Sequence, residues 1–138
     1  MTDTVRILIV EDFPAFRSLL VSTLKQRLDL TVVGEASNGL DAIEQVQALR
    51  PDVILLDIGL PILNGIEVLR RIRNFLDSSK VLIVSQENSE DVVQEALRGG
   101  AHGFLVKADV GTQLLPAIDA VLSGERFVGK VLTGLGNQ

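Results

Sequence analysis

An α/β fold is predicted for this chain: a parallel sheet with helices on both faces. Three observations predict it. Short, almost wholly apolar runs rich in β-branched residues recur along the sequence. Longer segments with apolar residues at helical spacing lie between them. The two kinds alternate five times, and alternation of that sort implies parallel strands joined by helical crossovers.

The strand runs are Val5–Val10, Thr31–Ala36, Val53–Leu56, Val81–Val84 and Gly103–Val106. Continuous apolarity suits strands covered on both faces. Phe16, Leu19, Leu20, Thr23, Leu24 and Leu28 mark the first helix, and Pro14 suits its first turn. Asn38 can cap a second helix carrying Leu40, Ile43 and Val46. Asn64-Gly65 opens a third, with Ile66, Leu69 and Ile72 on one face. Val92, Val93, Ala96 and Leu97 form a fourth, ended by Gly99-Gly100. Leu114, Leu115, Ile118, Val121 and Leu122 form the fifth. Pro116 belongs near its start, because a mid-helix proline costs about 3 kcal/mol. Right-handed crossovers leave few topologies, and the doubly wound, flavodoxin-like (βα)5 order 2-1-3-4-5 is the expected one.

Composition narrows the function. The 138 residues suit one domain with one core. Five Phe with no Tyr or Trp make that core aliphatic. Without Cys there is neither a disulfide nor a thiolate metal site, which agrees with a cytoplasmic protein. No run is long enough to span a membrane, and Met1–Thr4 has no signal-peptide character. The net charge of -5 argues against nucleic-acid binding through this domain, since phosphate contacts supply most of that affinity.

Ligands of such sheets bind beyond the carboxyl ends of the strands. Strand 1 is followed by Glu11-Asp12, strand 3 by Asp57, strand 4 by Ser85 and strand 5 by Lys107. Alone, each has a plainer reading: Asp57 as a cap or turn residue, Glu11-Asp12 as a solvated turn, Lys107 as a surface charge. Together they make a site. Carboxylates about 4 Å apart repel by roughly 4 kcal/mol at an effective dielectric near 20, so three of them call for a cation. All-oxygen ligands at an open site favour Mg2+. Lys107 and Ser85 are suited to phosphoryl oxygens. Asp57, on the central strand, is placed to be the nucleophile that becomes an aspartyl phosphate. A nucleotide-binding loop is disfavoured, because no glycine-rich loop ends in Lys-Ser or Lys-Thr. A dehalogenase-type phosphatase would want an Asp where Gly59 stands. His102, before strand 5, reads as a surface loop residue.

Four segments carry a family resemblance. Ile7-Leu8-Ile9-Val10-Glu11-Asp12, Asp57-Ile58-Gly59-Leu60-Pro61-Ile62-Leu63-Asn64-Gly65, Val84-Ser85 and Phe104-Leu105-Val106-Lys107 occur in the order found in response-regulator receiver domains. The resemblance covers Val5 to Leu122. Gly59-Leu60-Pro61 and Leu114–Arg126 are most similar to the NarL/FixJ (LuxR-type) subfamily. It implies a non-enzymatic phosphoacceptor of a two-component relay, phosphorylated on Asp57 by a sensor histidine kinase or phosphotransfer protein. Asp12, Asp57 and the carbonyl of Gly59 would bind Mg2+, with Glu11 acting through water. Ser85 and Lys107 would hold the phosphoryl oxygens, and Phe104 would be the aromatic switch. Four positions depart from the commoner pattern: Glu at 11, Ser at 85, Phe at 104 and Ala at 108. Residues 1–124 would form the receiver, and 125–138 a tail or the start of a linker. The output would be transcription through a helix-turn-helix domain outside this chain. The alternatives are a free-standing receiver or a receiver-like module that works without phosphate. The face built by the fourth helix, fifth strand and fifth helix would switch and support a homodimer. Phe13 and Phe16 suggest a kinase-docking surface.

Overall fold

The computed structural model describes residues 4–75 and 78–129. Strands β1 (Val5–Val10), β2 (Leu30–Ala36), β3 (Val53–Leu56), β4 (Lys80–Ser85), β5 (Gly103–Val106) and β6 (Phe127–Val128) form one sheet in the order 2-1-3-4-5-6. Every neighbouring pair is parallel. Helices α1 (Pro14–Leu24), α2 (Gly39–Leu49), α3 (Gly65–Ile72), α4 (Glu90–Arg98) and α5 (Val110–Leu122) join them, so the predicted doubly wound order is present with one short strand added.

The two faces separate by residue parity, because strand side chains alternate. Leu8, Val10, Ile54, Leu56, Val81, Ile83 and Phe104 pack with α2, α3 and α4. Ile7, Ile9, Val53, Leu55, Leu82, Val84 and Leu105 pack with α1 and α5. Strand β3 is fully buried, which explains why its sequence shows no alternation. At the β1–β2 pairing the register slips between Ile7 and Leu8, whose partners are Val32 and Gly34, leaving Val33 as an extra residue.

Local chemistry sets the helix starts. Asn38, Asn64 and Ser89 accept hydrogen bonds from the N–H groups of Asp41, Glu67 and Val92. Three expectations are corrected. The first helix stops at Leu24, so Leu28 lies outside it and is almost fully exposed. The last helix starts at Val110, so Pro116 lies well inside it rather than near its start. Pro116 and Thr112, whose carbonyl the proline leaves without an N–H, are both exposed, while Leu114, Ala117, Ile118 and Val121 anchor the buried side. His102 is half-buried: its Nδ1 accepts from the Val81 N–H at 3.0 Å, tying β5 to β4. Part of the expected tail is the ordered strand β6, and its residues beyond Gly129 lie outside the described ones. No described helix is long and apolar enough to cross a membrane.

Candidate acidic phosphoacceptor site

The carboxyl ends of β1, β3, β4 and β5 open into a cleft of about 370 Å³ lined by Glu11, Asp12, Asp57, Gly59, Ser85 and Lys107, with Gln86 and Glu87 at its rim. All the expected residues but one therefore meet there. The exception is Phe104, which is fully buried in the core beneath α4 and does not line the cleft.

Glu11 is buried and held from four directions. Its N–H donates to the Ala36 carbonyl at 2.9 Å. Its carbonyl accepts from Arg17 Nη1 at 2.8 Å. Its Oε2 accepts from the Phe13 N–H at 3.1 Å, and Lys107 Nζ stands 2.9 Å from Oε1. That ammonium balances the charge without an aligned hydrogen bond, so Oε1 keeps an open lone pair in a buried place. Burial raises the Glu11 carboxyl above the ordinary carboxylate range, opposed by Lys107 and the Phe13 N–H and reinforced by the charge of Asp57. Asp12, next in sequence, is exposed.

Asp57 follows β3 and is 6% exposed. Its N–H donates to the Val10 carbonyl at 3.0 Å. Its Oδ1 accepts from the Gly59 N–H at 3.2 Å, and its Oδ2 lies 3.4 Å from Lys107 Nζ. Gly65 lies directly beneath this turn, where a Cβ would collide with the Asp57 carbonyl and lie 2.7 Å from Ile58 Cα. Between them, Ile62 has φ 71° and is 73% exposed, an unusual conformation for a β-branched residue.

Ser85 ends β4, and its Oγ accepts from the Glu87 N–H at 3.0 Å. Lys107 follows β5, with Nζ 4.7 Å from the centre of the Phe16 ring. Burial alone would lower its pKa. The close ion pair with Glu11 and the charge of Asp57 outweigh that, and the ammonium is held above its ordinary value. The peptide bond after Lys107 is trans.

Glu11, Asp12 and Asp57 each bring one carboxylate oxygen to within 4.8 Å of the others. An all-oxygen set with one open, buried lone pair fits a small hard cation such as Mg2+. Three contributions to the site were not legible in the sequence. Arg17 also pairs with Glu35, Nε to Oε1 at 3.2 Å, which ties the Glu11 turn to β2 through α1. Phe16 supplies its ring face to Lys107. Gly65 matters because of the backbone beneath it, a contact between segments that no local pattern reveals.

An apolar hollow of about 600 Å³ adjoins the cleft, with Phe13, Ala15, Phe16 and Leu19 on its α1 side and Val106 and Ala108 on the other.

Comparison with known proteins agrees with this geometry. Residues 7–119 match the response regulator receiver domain family. The nitrate/nitrite response regulator protein NarL of Escherichia coli (strain K12) is 39% identical over 127 residues, which are 92% of this chain and 59% of that protein. The chain thus spans about three fifths of that relative's length. Among solved structures, the signal receiver domain of NarL from Mycobacterium tuberculosis is 34% identical at a TM-score of 0.85, covering 90% of this chain and 100% of that one. A two-component response regulator of the LuxR family from Aurantimonas sp. SI85-9A1 is 30% identical at a TM-score of 0.86, covering 91% of this chain and 89% of that one. A parallel sheet in this order, an acid cluster at its carboxyl edge and these relatives lead to one conclusion: the chain belongs to the response regulator receiver domain family, as a receiver of the NarL/LuxR type.

Proposed function

We propose that this receiver accepts a phosphoryl group on Asp57 from the phosphohistidine of a sensor kinase or phosphotransfer protein. The observation that carries the reading is the setting of Asp57: a carboxylate oriented by the Gly59 N–H, faced by Lys107 and flanked by two further carboxylates. In the transfer, an Asp57 carboxylate oxygen forms a bond to phosphorus as the phosphorus–nitrogen bond breaks. The electron pair of that bond leaves on the imidazole nitrogen.

Asp12, Asp57 and the Gly59 carbonyl would hold Mg2+, with Glu11 one water further out. The ion would neutralise charge on the phosphoryl oxygens when bound. Lys107 needs only to turn from Glu11 and Asp57 towards a phosphoryl oxygen, and Ser85 Oγ can donate once it reorients from the Glu87 N–H. The phosphoryl group adds roughly two negative charges beside Lys107. A switch from 1:99 to 99:1 needs about 5.5 kcal/mol of differential interaction, which new bonds at Ser85 and Lys107 would supply in part. The change would pass through Phe104 to the α4–β5–α5 face, which would support a homodimer or dock a partner. Control of transcription would follow through an output domain like those of the longer relatives. Phe13, 61% exposed at the mouth of the apolar hollow, would meet the kinase.

Incubation with acetyl phosphate and Mg2+ tests the acceptor. An acid-stable, base-labile adduct on the parent chain and none on Asp57→Asn is the expected result. No adduct from any donor would make this a receiver-like interaction module. Phe13→Ala should slow transfer from the kinase while leaving the acetyl phosphate reaction unchanged.

A further inference from the structure

Strand β6 lies on the outer edge of β5, the strand that carries Phe104 and ends beside Lys107. We propose that this edge of β5 is a docking site for the chain's own segment Phe127–Gly129, and that the segment leaves it when Asp57 carries a phosphoryl group. The trigger rests on the acceptor reading above; the docking does not.

The docking is specific. Gly103 pairs with Phe127 and Phe104 with Val128. The Gly129 N–H donates to the Phe104 carbonyl at 2.8 Å, so the exit segment is bonded directly to the buried aromatic residue of the switch strand. The Phe127 ring packs at the margin of the core formed with α1 and α5. Gly103 makes room for it: a Cβ there would lie 2.9 Å from the Phe127 carbonyl oxygen and 2.8 Å from Leu82 Cδ1.

The docking is also weak, as a releasable element must be. The strand is two residues long. One of its backbone bonds, from the Phe127 N–H to the His102 carbonyl, is stretched to 3.4 Å. Val128 is 41% exposed. Gln113 on α5 keeps a buried Oε1 without a hydrogen-bond partner among the described residues, and a Cβ on Gly129 would lie 3.0 Å from it. Undocking admits water to that oxygen and relieves an unsatisfied acceptor.

The site can reach the segment through a short path. Strand β5 is four residues long, its end is paired with Ser85 through Val106, and Lys107 follows at once. A phosphoryl group that draws Ser85 and Lys107 inward moves the two ends of β4 and β5 that frame Phe104. The Phe104 carbonyl accepts the 2.8 Å bond from the Gly129 N–H, so a shift of that strand is felt directly at Gly129.

Amide hydrogen exchange on the full 138-residue chain, with Mg2+ and with or without beryllofluoride as an acyl-phosphate mimic, tests this. The expected result is a loss of protection of at least tenfold at Gly129, with β1 amides unchanged. Phe127→Ala should expose the Gly129 amide to a similar degree without the mimic. Two results overturn the proposal. One is unchanged or increased Gly129 protection while the Gly59 and Glu87 amides, both bonded inside the cleft, respond to the mimic. The other is Gly129 protection indifferent to Phe127→Ala. If Gly59 and Glu87 do not respond either, the acceptor reading has failed and the trigger falls with it.

Discussion

Replacing Lys107 by Met gives the sharpest test of the electrostatics. Met retains an apolar stem to lie on Phe16 and removes only the charge. Coulomb attraction at an effective dielectric of 20 is about 6 kcal/mol for the 2.9 Å contact with Glu11 and about 5 kcal/mol for the 3.4 Å contact with Asp57. Those are gross values, offset by the cost of desolvating the ammonium. A ceiling comes from protonation. An uncompensated Glu11 charge can cost no more than neutralising it, and from an ordinary value of 4.5 that takes about 3.4 kcal/mol at pH 7. The variant is therefore expected to be up to about 3.4 kcal/mol less stable at pH 7 without metal. In it, folded Glu11 holds a proton that the unfolded chain releases, so stability rises as pH falls. The gap should close by about 1.4 kcal/mol per pH unit, leaving about 0.7 kcal/mol at pH 5. The parent's Glu11 is itself raised, so this slope is an upper value. Urea unfolding followed by far-ultraviolet circular dichroism suits a chain without Trp or Tyr. Saturating Mg2+ should narrow the gap at pH 7. A gap constant from pH 7 to 5, or one indifferent to Mg2+, would refute the reasoning.

Three further outcomes are expected. Ile62→Asn should stabilise the fold by about 1 kcal/mol in urea unfolding, because a β-branched residue at φ 71° carries strain that Asn largely escapes. Gly65→Ala should cost several-fold in Mg2+ affinity by calorimetry and lower the thermal midpoint, since the new methyl collides with the backbone of Asp57. His102→Gln should flatten the acid limb of the stability curve. Burial and the charges of Lys80 and Arg126 lower the His102 pKa, so below pH 6.5 the unfolded chain takes up a proton that the folded one resists, and stability falls with pH. Glu11 acts in the opposite sense, so the comparison is variant against parent across pH 7 to 5, by up to about 1.4 kcal/mol per unit.

The sheet order and the residues of the acidic cleft were legible in the sequence because both follow from strand ends. A buried parallel strand must be apolar, and the first polar residue after it marks the edge where ligands bind. Asp57 was exposed to inference by Leu56, Ser85 by Val84 and Lys107 by Val106. What was not legible depends on contacts between segments. Arg17 looks like any helix arginine until its guanidinium is found on the Glu11 carbonyl. Pro116 argued for a later helix start, and only the burial of Leu114, Ala117, Ile118 and Val121 along one side overrides it. Phe127 resembled part of a tail because its strand is two residues long and has no periodicity of its own.

The slip between Ile7 and Leu8 bears on how copies of this domain meet. Strand β2 is one edge of the sheet, and an edge strand offers its free backbone groups to any neighbour. The extra residue at Val33 interrupts the ladder there, and the exposed, charged Glu35 follows two residues later. That edge is a poor template for a strand of another molecule. Among the described residues the opposite edge shows no such irregularity, and Phe127–Val128 cover it. The two sides of the sheet are thus guarded by different means, one permanently by its own shape and one by a removable cover. Among the described residues, strand addition by another copy would meet fewer obstacles at the β5 side than at β2.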